Sequence, residues 1–178
     1  MKLREESKNV YYVTEDIVKI SHKDIDLFKD KTIQDNLQRI RLCSHKDVND
    51  VIHEMIIALK KTTYIRPHKH INRLESFHVL EGKASVVIFH DDGKIKDVID
   101  MGDYKSGKKF YYKMFKPYYH TVLVNSDFLI FQEVTNGPFK KSDTEYASWA
   151  PEESDKNFGK KYIERLKKDI MIFSSKQT

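Results

Sequence analysis

From Arg39 to about residue 135, apolar residues alternate with polar ones or gather in short runs bounded by turn formers. RIRLC, HEMIIAL, TYIRPHKH, SFHVLEG, ASVVIFH, KIKDVIDM, FYYKMF, HTVLVNS and DFLIFQEV follow one another in this way. A two-residue period predicts strands with one buried face. Asp91-Asp92-Gly93 predicts a tight hairpin between ASVVIFH and KIKDVIDM. Several short strands at close spacing predict an all-β sandwich or barrel. Ahead of them, VYYVTEDIV predicts a short strand. Ser21 followed by HKDIDLFKDK predicts a capped helix, with Asp24 three residues after the cap and Ile25 and Phe28 on one face. After Val134 the chain becomes irregular through TNGPFKKSDTEYASWAPEE. Tyr162, Ile163, Leu166, Ile170 and Phe173 then recur at helical spacing, which predicts an amphipathic helix from about Asn157 to Phe173. Its apolar stripe packs on the barrel or on a second subunit. The expected organisation is one compact domain, with an N-terminal extension over 1–38, a β-barrel over 39–135 and a post-barrel segment with its helix over 136–178.

Composition narrows the partners. At 178 residues with 39% hydrophobic and 33% charged residues, the chain is of ordinary soluble make-up and long enough for a real core. No apolar run reaches membrane-spanning length, and MKLREESKNV lacks a signal-peptide core, so a cytoplasmic protein without membrane insertion is expected. The single cysteine, Cys43, rules out an internal disulfide framework and reads as a small buried apolar residue. The net charge of +5 is spread over Lys105 to Lys116 and the segment from Lys160, with no nucleic-acid motif. Nucleic acid is therefore not an expected partner. Lysine outnumbers arginine 26 to 6, yet Arg39, Arg41, Arg66 and Arg73 all fall in the stretch leading into and through PHKHINRLESFHVLEG. Arginine suits bidentate contact with carboxylate or phosphate. Arg39, Arg41 and above all Arg66 are candidates for binding a substrate, the alternative being salt bridges that hold the barrel rim.

That stretch carries the candidate chemistry. Side chains two apart on a strand share a face, so His68 and His70 aim at one point while Lys69 turns away. Asn72 and Arg73 lie in a short polar connection, and Glu75 opens the returning strand opposite the histidines. His120 opens HTVLV, where it shares a face with Val122 and Val124, as Glu75 does with Phe77 and Val79. Three imidazoles and a carboxylate on otherwise apolar faces predict one divalent transition metal inside a barrel, with Fe, Mn, Ni and Zn all compatible with the mixed N/O set. Tyr64 and Arg66 have the parity of His68 and His70, so without a bulge at Pro67 all four line one cavity. Tyr64 would donate a hydrogen bond to a ligand there, or fill the barrel mouth. Glu133, in step with Leu129 and Phe131, is a candidate interior carboxylate for carrying a proton or for supporting a metal ligand. His78 alternates with Phe77 and Val79 and is expected not to be a ligand. His45, His53, Tyr118 and Tyr119 are candidates for the pocket rim or for structural roles, and Trp149 for anchoring the post-barrel segment or stacking on a sugar.

His68, His70, Glu75 and Gly82 match HxHx(3,4)Ex(6)G, the first motif of the cupin superfamily, and His120 corresponds to the single histidine of its second motif. The resemblance implies a double-stranded β-helix, or jelly-roll barrel, flanked here by an N-terminal helix and a C-terminal amphipathic helix. Thr62, Phe115, Pro117 and Val124 stand where the motifs usually carry Gly, Pro, Gly and Asn, so the rim near His120 is expected to turn differently. Within cupins, residues from about Arg39 to Glu153 resemble the WbuC family. The similarity rests on TYIRPHKH, FHVLEGKASVVIFHDDGKI, HTV after an aromatic residue, and the tail with Gly137-Pro138-Phe139 and Trp149-Ala150-Pro151-Glu152. It implies a cupin-fold metalloprotein of surface-polysaccharide (O-antigen, lipopolysaccharide) gene clusters, a homodimer binding a small anionic or carbohydrate ligand. Two function classes follow. One is a metal-dependent enzyme on a sugar, nucleotide sugar or related intermediate, working by isomerisation, epimerisation or oxygen chemistry. The other is a non-catalytic regulatory cupin that binds metal and ligand.

Overall fold

The computed structural model describes residues 1–176 and contains two β-sheets and two α-helices. In chain order the strands are β1 (Leu3–Ser7), β2 (Val10–Val13), β3 (Arg39–Cys43), β4 (Ile52–Lys60), β5 (His68–His70), β6 (Glu75–Glu81), β7 (Lys83–Phe89), β8 (Ile95–Gly102), β9 (Tyr111–Met114), β10 (Tyr119–Val124), β11 (Phe128–Asn136) and β12 (Thr144–Tyr146). The helices are α1 (His22–Gln34) and α2 (Lys156–Ser175). One sheet runs β1-β2-β3-β4-β11-β6-β9 and the other β12-β5-β10-β7-β8. Every pairing between named strands is antiparallel except β2 with β3. The chain passes repeatedly from one sheet to the other, which makes this a double-sheet jelly-roll barrel.

Strand alternation places the core. Met55, Ile57, Leu59, Phe77, Val79, Leu129 and Phe131 from the larger sheet meet Ala84, Val86, Ile88, Val122 and Val124 from the smaller one. The outer faces are covered as well. Phe28 of α1 packs on Ile40 and Leu42, the residues of β3 that point out of the barrel, together with Tyr11 and Val13. Tyr162 and Leu166 of α2 pack on Val87, Phe89, Tyr119 and Leu123 outside the smaller sheet. The apolar stripe of the C-terminal helix thus meets its own barrel. The N-terminus of α1 is capped as its sequence suggests: the backbone N–H and hydroxyl of Ser21 both donate to Asp24, at 2.8 and 2.6 Å.

Three features differ from the sequence-based expectation. β1 pairs with β2, and through β2 the N-terminal extension prolongs the larger sheet. Thr144–Tyr146, inside the supposedly irregular tail, forms β12 against β5. TYIRPHKH does not form one strand, because only His68–His70 enters a ladder. Pro67 has no N–H to give, and the preceding backbone bonds elsewhere: Arg66 N donates to Glu153 Oε1 at 3.2 Å, and Pro67 O accepts from Ala147 N at 2.9 Å.

Candidate metal centre and cavity

The short β5 is held between β12 and β10, with His68 opposite both Tyr146 and His120. This register brings one ring nitrogen each of His68, His70 and His120 within 4.8 Å of one another, and this cluster could hold a metal ion. Glu75, at the start of β6, closes the group from the other sheet. Its Oε2 lies 3.4 Å from Nε2 of His70 and 3.4 Å from Nε2 of His120. Donors each about 2.0–2.2 Å from a shared ion stand roughly 3–3.5 Å apart at neighbouring positions, so these separations suit a common centre.

The outer nitrogens support the same fit. Nδ1 of His68 bonds the carbonyl of Arg66 at 2.8 Å, and Nδ1 of His120 that of Tyr118 at 3.0 Å. A carbonyl only accepts, so each Nδ1 carries a hydrogen, and Nε2 is the nitrogen left to face the centre. Nδ1 of His70 lies 3.4 Å from the hydroxyl of Thr144 on β12. The second oxygen of Glu75 accepts from the Tyr112 hydroxyl, on β9. Glu75 and Tyr112 are both buried, at 4% and 9% exposure, so neither can rely on water. Sequence reasoning did not single out Tyr112 or Thr144. Tyr112 sits in the aromatic run FYYKMF, where nothing but its register opposite Phe77 marks it.

Electrostatics divide the histidines. Burial, with His120 and His70 adding to it, pushes His68 down to about 3, so it is neutral. For Glu75, burial acts upward, but His120 and His70 outweigh it and hold the carboxyl well below its ordinary range. For His120, burial acts downward and Glu75 overcomes it, so its pKa is raised. A proton held between Glu75 and His120 must leave before both can serve as ligands. Glu133 is raised, first by burial and then by the negative charge of Glu75.

The histidine cluster opens into a cavity of about 350 Å³, at the lower end of the range for small-molecule sites. Glu75, Glu133, Arg39 and Arg41 all line it, as do His45, His53 and Arg73. Arg39 is engaged: its guanidinium grips Glu153 through two bonds of 3.1 and 3.0 Å. Two residues expected in the cavity are elsewhere. The hydroxyl of Tyr64 donates to Pro151 O at 2.9 Å, and its ring packs on Tyr162 and against Gly159 of α2. Arg66 donates to Ala147 O at 2.9 Å and pairs with Glu152 at 2.6 Å. With residues 64–67 out of the ladder, parity breaks, and Ile65 faces the cavity in their place.

The remaining candidates divide between rim and scaffold. His45 and His53 stack at the cavity wall, with ring centroids 4.2 Å apart. Tyr119 instead joins the outer cluster under α2, and its hydroxyl donates to Glu145. His78 packs on Phe110, away from the centre. Trp149 anchors the tail: its indole N–H donates to Asp91 O at 3.2 Å, and its ring covers Gly93, where an added Cβ would meet it at 2.9 Å. The Gly137-Pro138-Phe139 element forms part of the rim, with Phe139 N donating to Val48 O at 2.7 Å and the Arg73 guanidinium over the Phe139 ring.

A family model described as a domain of unknown function (DUF6016) matches residues 20–101, a span that includes His68, His70 and Glu75 and stops short of His120. No curated protein matches the chain. Among solved structures, a cupin 2 conserved barrel domain protein from Rhodopseudomonas palustris is 12% identical with a TM-score of 0.47, covering 61% of this chain and 66% of its own. Oxalate decarboxylase from Bacillus subtilis, described with Mn(II) centres, is 17% identical with a TM-score of 0.44, covering 55% of this chain and 24% of its own. CapF is 17% identical with a TM-score of 0.46, covering 60% of this chain and 33% of its own. The chain thus spans less than two thirds of the length of each of these proteins.

Proposed function

We propose that this chain is a mononuclear metal-binding cupin in which His68, His70, His120 and Glu75 hold one divalent transition metal (Fe, Mn, Ni or Zn) at the inner end of the cavity. The convergence of one ring nitrogen each from His68, His70 and His120, with a buried carboxylate oxygen 3.4 Å from two of them, carries this reading. A divalent ion held there supplies Lewis-acid polarisation of a bound oxygen. The chain's own residues supply the rest. Tyr112 fixes the orientation of Glu75, the carbonyls of residues 66 and 118 fix two imidazoles, and the apolar inner faces of Phe77, Val122 and Phe131 limit water. Glu133 faces the same cavity and holds its proton more tightly than an ordinary carboxyl, which suits it to carry a proton to or from a bound ligand.

The ligand class is a small anionic or carbohydrate metabolite. The motif-level resemblance to the WbuC family supports placing it in surface-polysaccharide biosynthesis, on a sugar, nucleotide sugar or related intermediate, in a cytoplasmic homodimer. A non-catalytic, ligand-binding role has one observation in its favour. Of the carboxylates lining the cavity, Glu75 belongs to the candidate centre and Glu153 is paired with Arg39, so Glu133 stands without the second carboxylate of an acid/base pair. Turnover of nucleotide sugars with and without chelator separates the two roles.

The metal assignment is tested by elemental analysis of the purified protein. One equivalent of metal is expected in the wild type and in His78→Ala, and less than a tenth of that in His68→Ala, His70→Ala and His120→Ala. Full occupancy after the His120 change would sink the assignment.

A further inference from the structure

Two arginines that line the cavity, Arg41 and Arg73, keep donors that no described residue uses. On the inner face of β3, Arg39, Arg41 and Cys43 alternate with the outward Ile40 and Leu42. Arg39 is neutralised by Glu153, whereas the Arg41 guanidinium makes no hydrogen bond or ion pair among the described residues, although it lines the cavity. Arg73 reaches the same space from the β5–β6 connection. Its Nε donates to Asn136 O at 3.2 Å and one Nη to the Thr135 hydroxyl at 2.7 Å, which fixes the group and leaves the second Nη uncommitted. Beside them stands the stacked pair His45 and His53. The two rings stack and line the same wall, with Nε2 of His53 turned towards Gly137.

Two guanidiniums facing one cavity repel each other and keep unused donors, an arrangement that an oxyanion relieves with bidentate bonds. Glu133, Asp143 and Glu75 attract Arg73 through space, but among the described residues no carboxylate lies within ion-pair distance of Arg41 or Arg73. Position adds a constraint. His53 on β4, Thr135 on β11 and Glu75 on β6 stand opposite one another across the larger sheet. At about 4.8 Å per strand, His53 is roughly 10 Å from Glu75, and Arg73 bonds Thr135 on the strand between them, within reach of one small molecule that also touches the histidine centre.

We propose that the Arg41–Arg73 end of the cavity is an oxyanion-binding subsite, which takes the terminal carboxylate or phosphate of a small ligand whose other end reaches the three-histidine centre. The second half of this statement rests on the metal-binding reading above, and the first half does not. The ligand class is a bifunctional metabolite with an oxygen donor at one end and an anion a few bonds away.

Three 2-hydroxycarboxylates test it by calorimetry on the metal-loaded protein. Lactate has no distal anion, 2-hydroxyglutarate has a distal carboxylate, and 3-phosphoglycerate has a distal phosphate. At least one of the two probes with a distal anion is expected to bind at least tenfold more tightly than lactate, and their order tells carboxylate from phosphate. Arg41→Gln should bring the favoured probe down to the lactate level, and Arg41→Lys should recover part of the loss. Equal affinity for all three probes in the wild type, or an advantage that survives Arg41→Gln, overturns the subsite. If elemental analysis finds no bound metal, inorganic phosphate titrated into the protein gives a separate answer. Binding that is lost in Arg41→Gln sustains the subsite while the metal reading fails, and binding that is absent or indifferent to Arg41 overturns the subsite.

Discussion

Cys43 is 2% exposed on the inner face of β3, next to Tyr12. Burial pushes its thiol from an ordinary 9.0 up to about 11. Between those values the folded chain holds a proton that the unfolded chain has released, so stability present below pH 9 is lost as pH rises towards 11. The loss from this group is on the order of 2 kcal/mol. Cys43→Ala should remove that part of the alkaline decline, measured as the midpoint of urea unfolding from pH 8 to 11; an unchanged slope would show that the buried tyrosines alone cause it. At this scale the sequence was legible wherever strand parity held. His68, His70, Glu75 and His120 could be placed on common faces because each sits in or at the start of a ladder. Tyr64 and Arg66 could not, since the two-residue period has no meaning where the backbone leaves the sheet. Arg39 and Arg41 share a face, yet only the distant Glu153 distinguishes the paired guanidinium from the free one.

Among the elements, the β6–β7 corner carries the last residue of the histidine motif. Gly82 has φ +93°, and a Cβ there would lie 2.2 Å from Phe128 O. Both the left-handed backbone and the close approach require glycine. Gly82→Ala is expected to cost roughly 2–3 kcal/mol, with metal content retained in the fraction that folds. Urea unfolding and elemental analysis read the two parts, and a loss below about 0.5 kcal/mol would contradict the close approach. The hairpin at Asp91-Asp92-Gly93 was equally legible, because its turn needs a positive φ, found at +83° for Gly93. β12 was not. Three residues, Thr-Glu-Tyr, carry no periodic pattern, and they become a strand only because β5 offers them an unpaired edge.

For the whole molecule, the two sheets meet with the candidate centre between them, three ligands from the smaller sheet and Glu75 from the larger. An ion bridging the sheets adds stability by mass action, about 2.7 kcal/mol when free metal is a hundredfold above its dissociation constant. Removing metal with a chelator should therefore lower Tm by several degrees in the wild type and leave that of His120→Ala unchanged, as read by scanning calorimetry. An equal drop in both would point to metal bound elsewhere. Among the described residues, no helix is long and apolar enough to cross a membrane.

The sequence by itself determined the β-class, the capped first helix, the amphipathic last helix and the histidine-rich face, because each depends on contacts within a few residues or on a local period. Only the tertiary structure decided which arginines face the cavity, that Tyr112 and Thr144 brace the candidate ligands, and that the tail closes the smaller sheet. Those outcomes join residues 37 to 114 positions apart, from Glu75 with Tyr112 to Arg39 with Glu153. Such pairings are set by register between strands and by competition for hydrogen-bond partners, neither of which leaves a periodic trace along the chain.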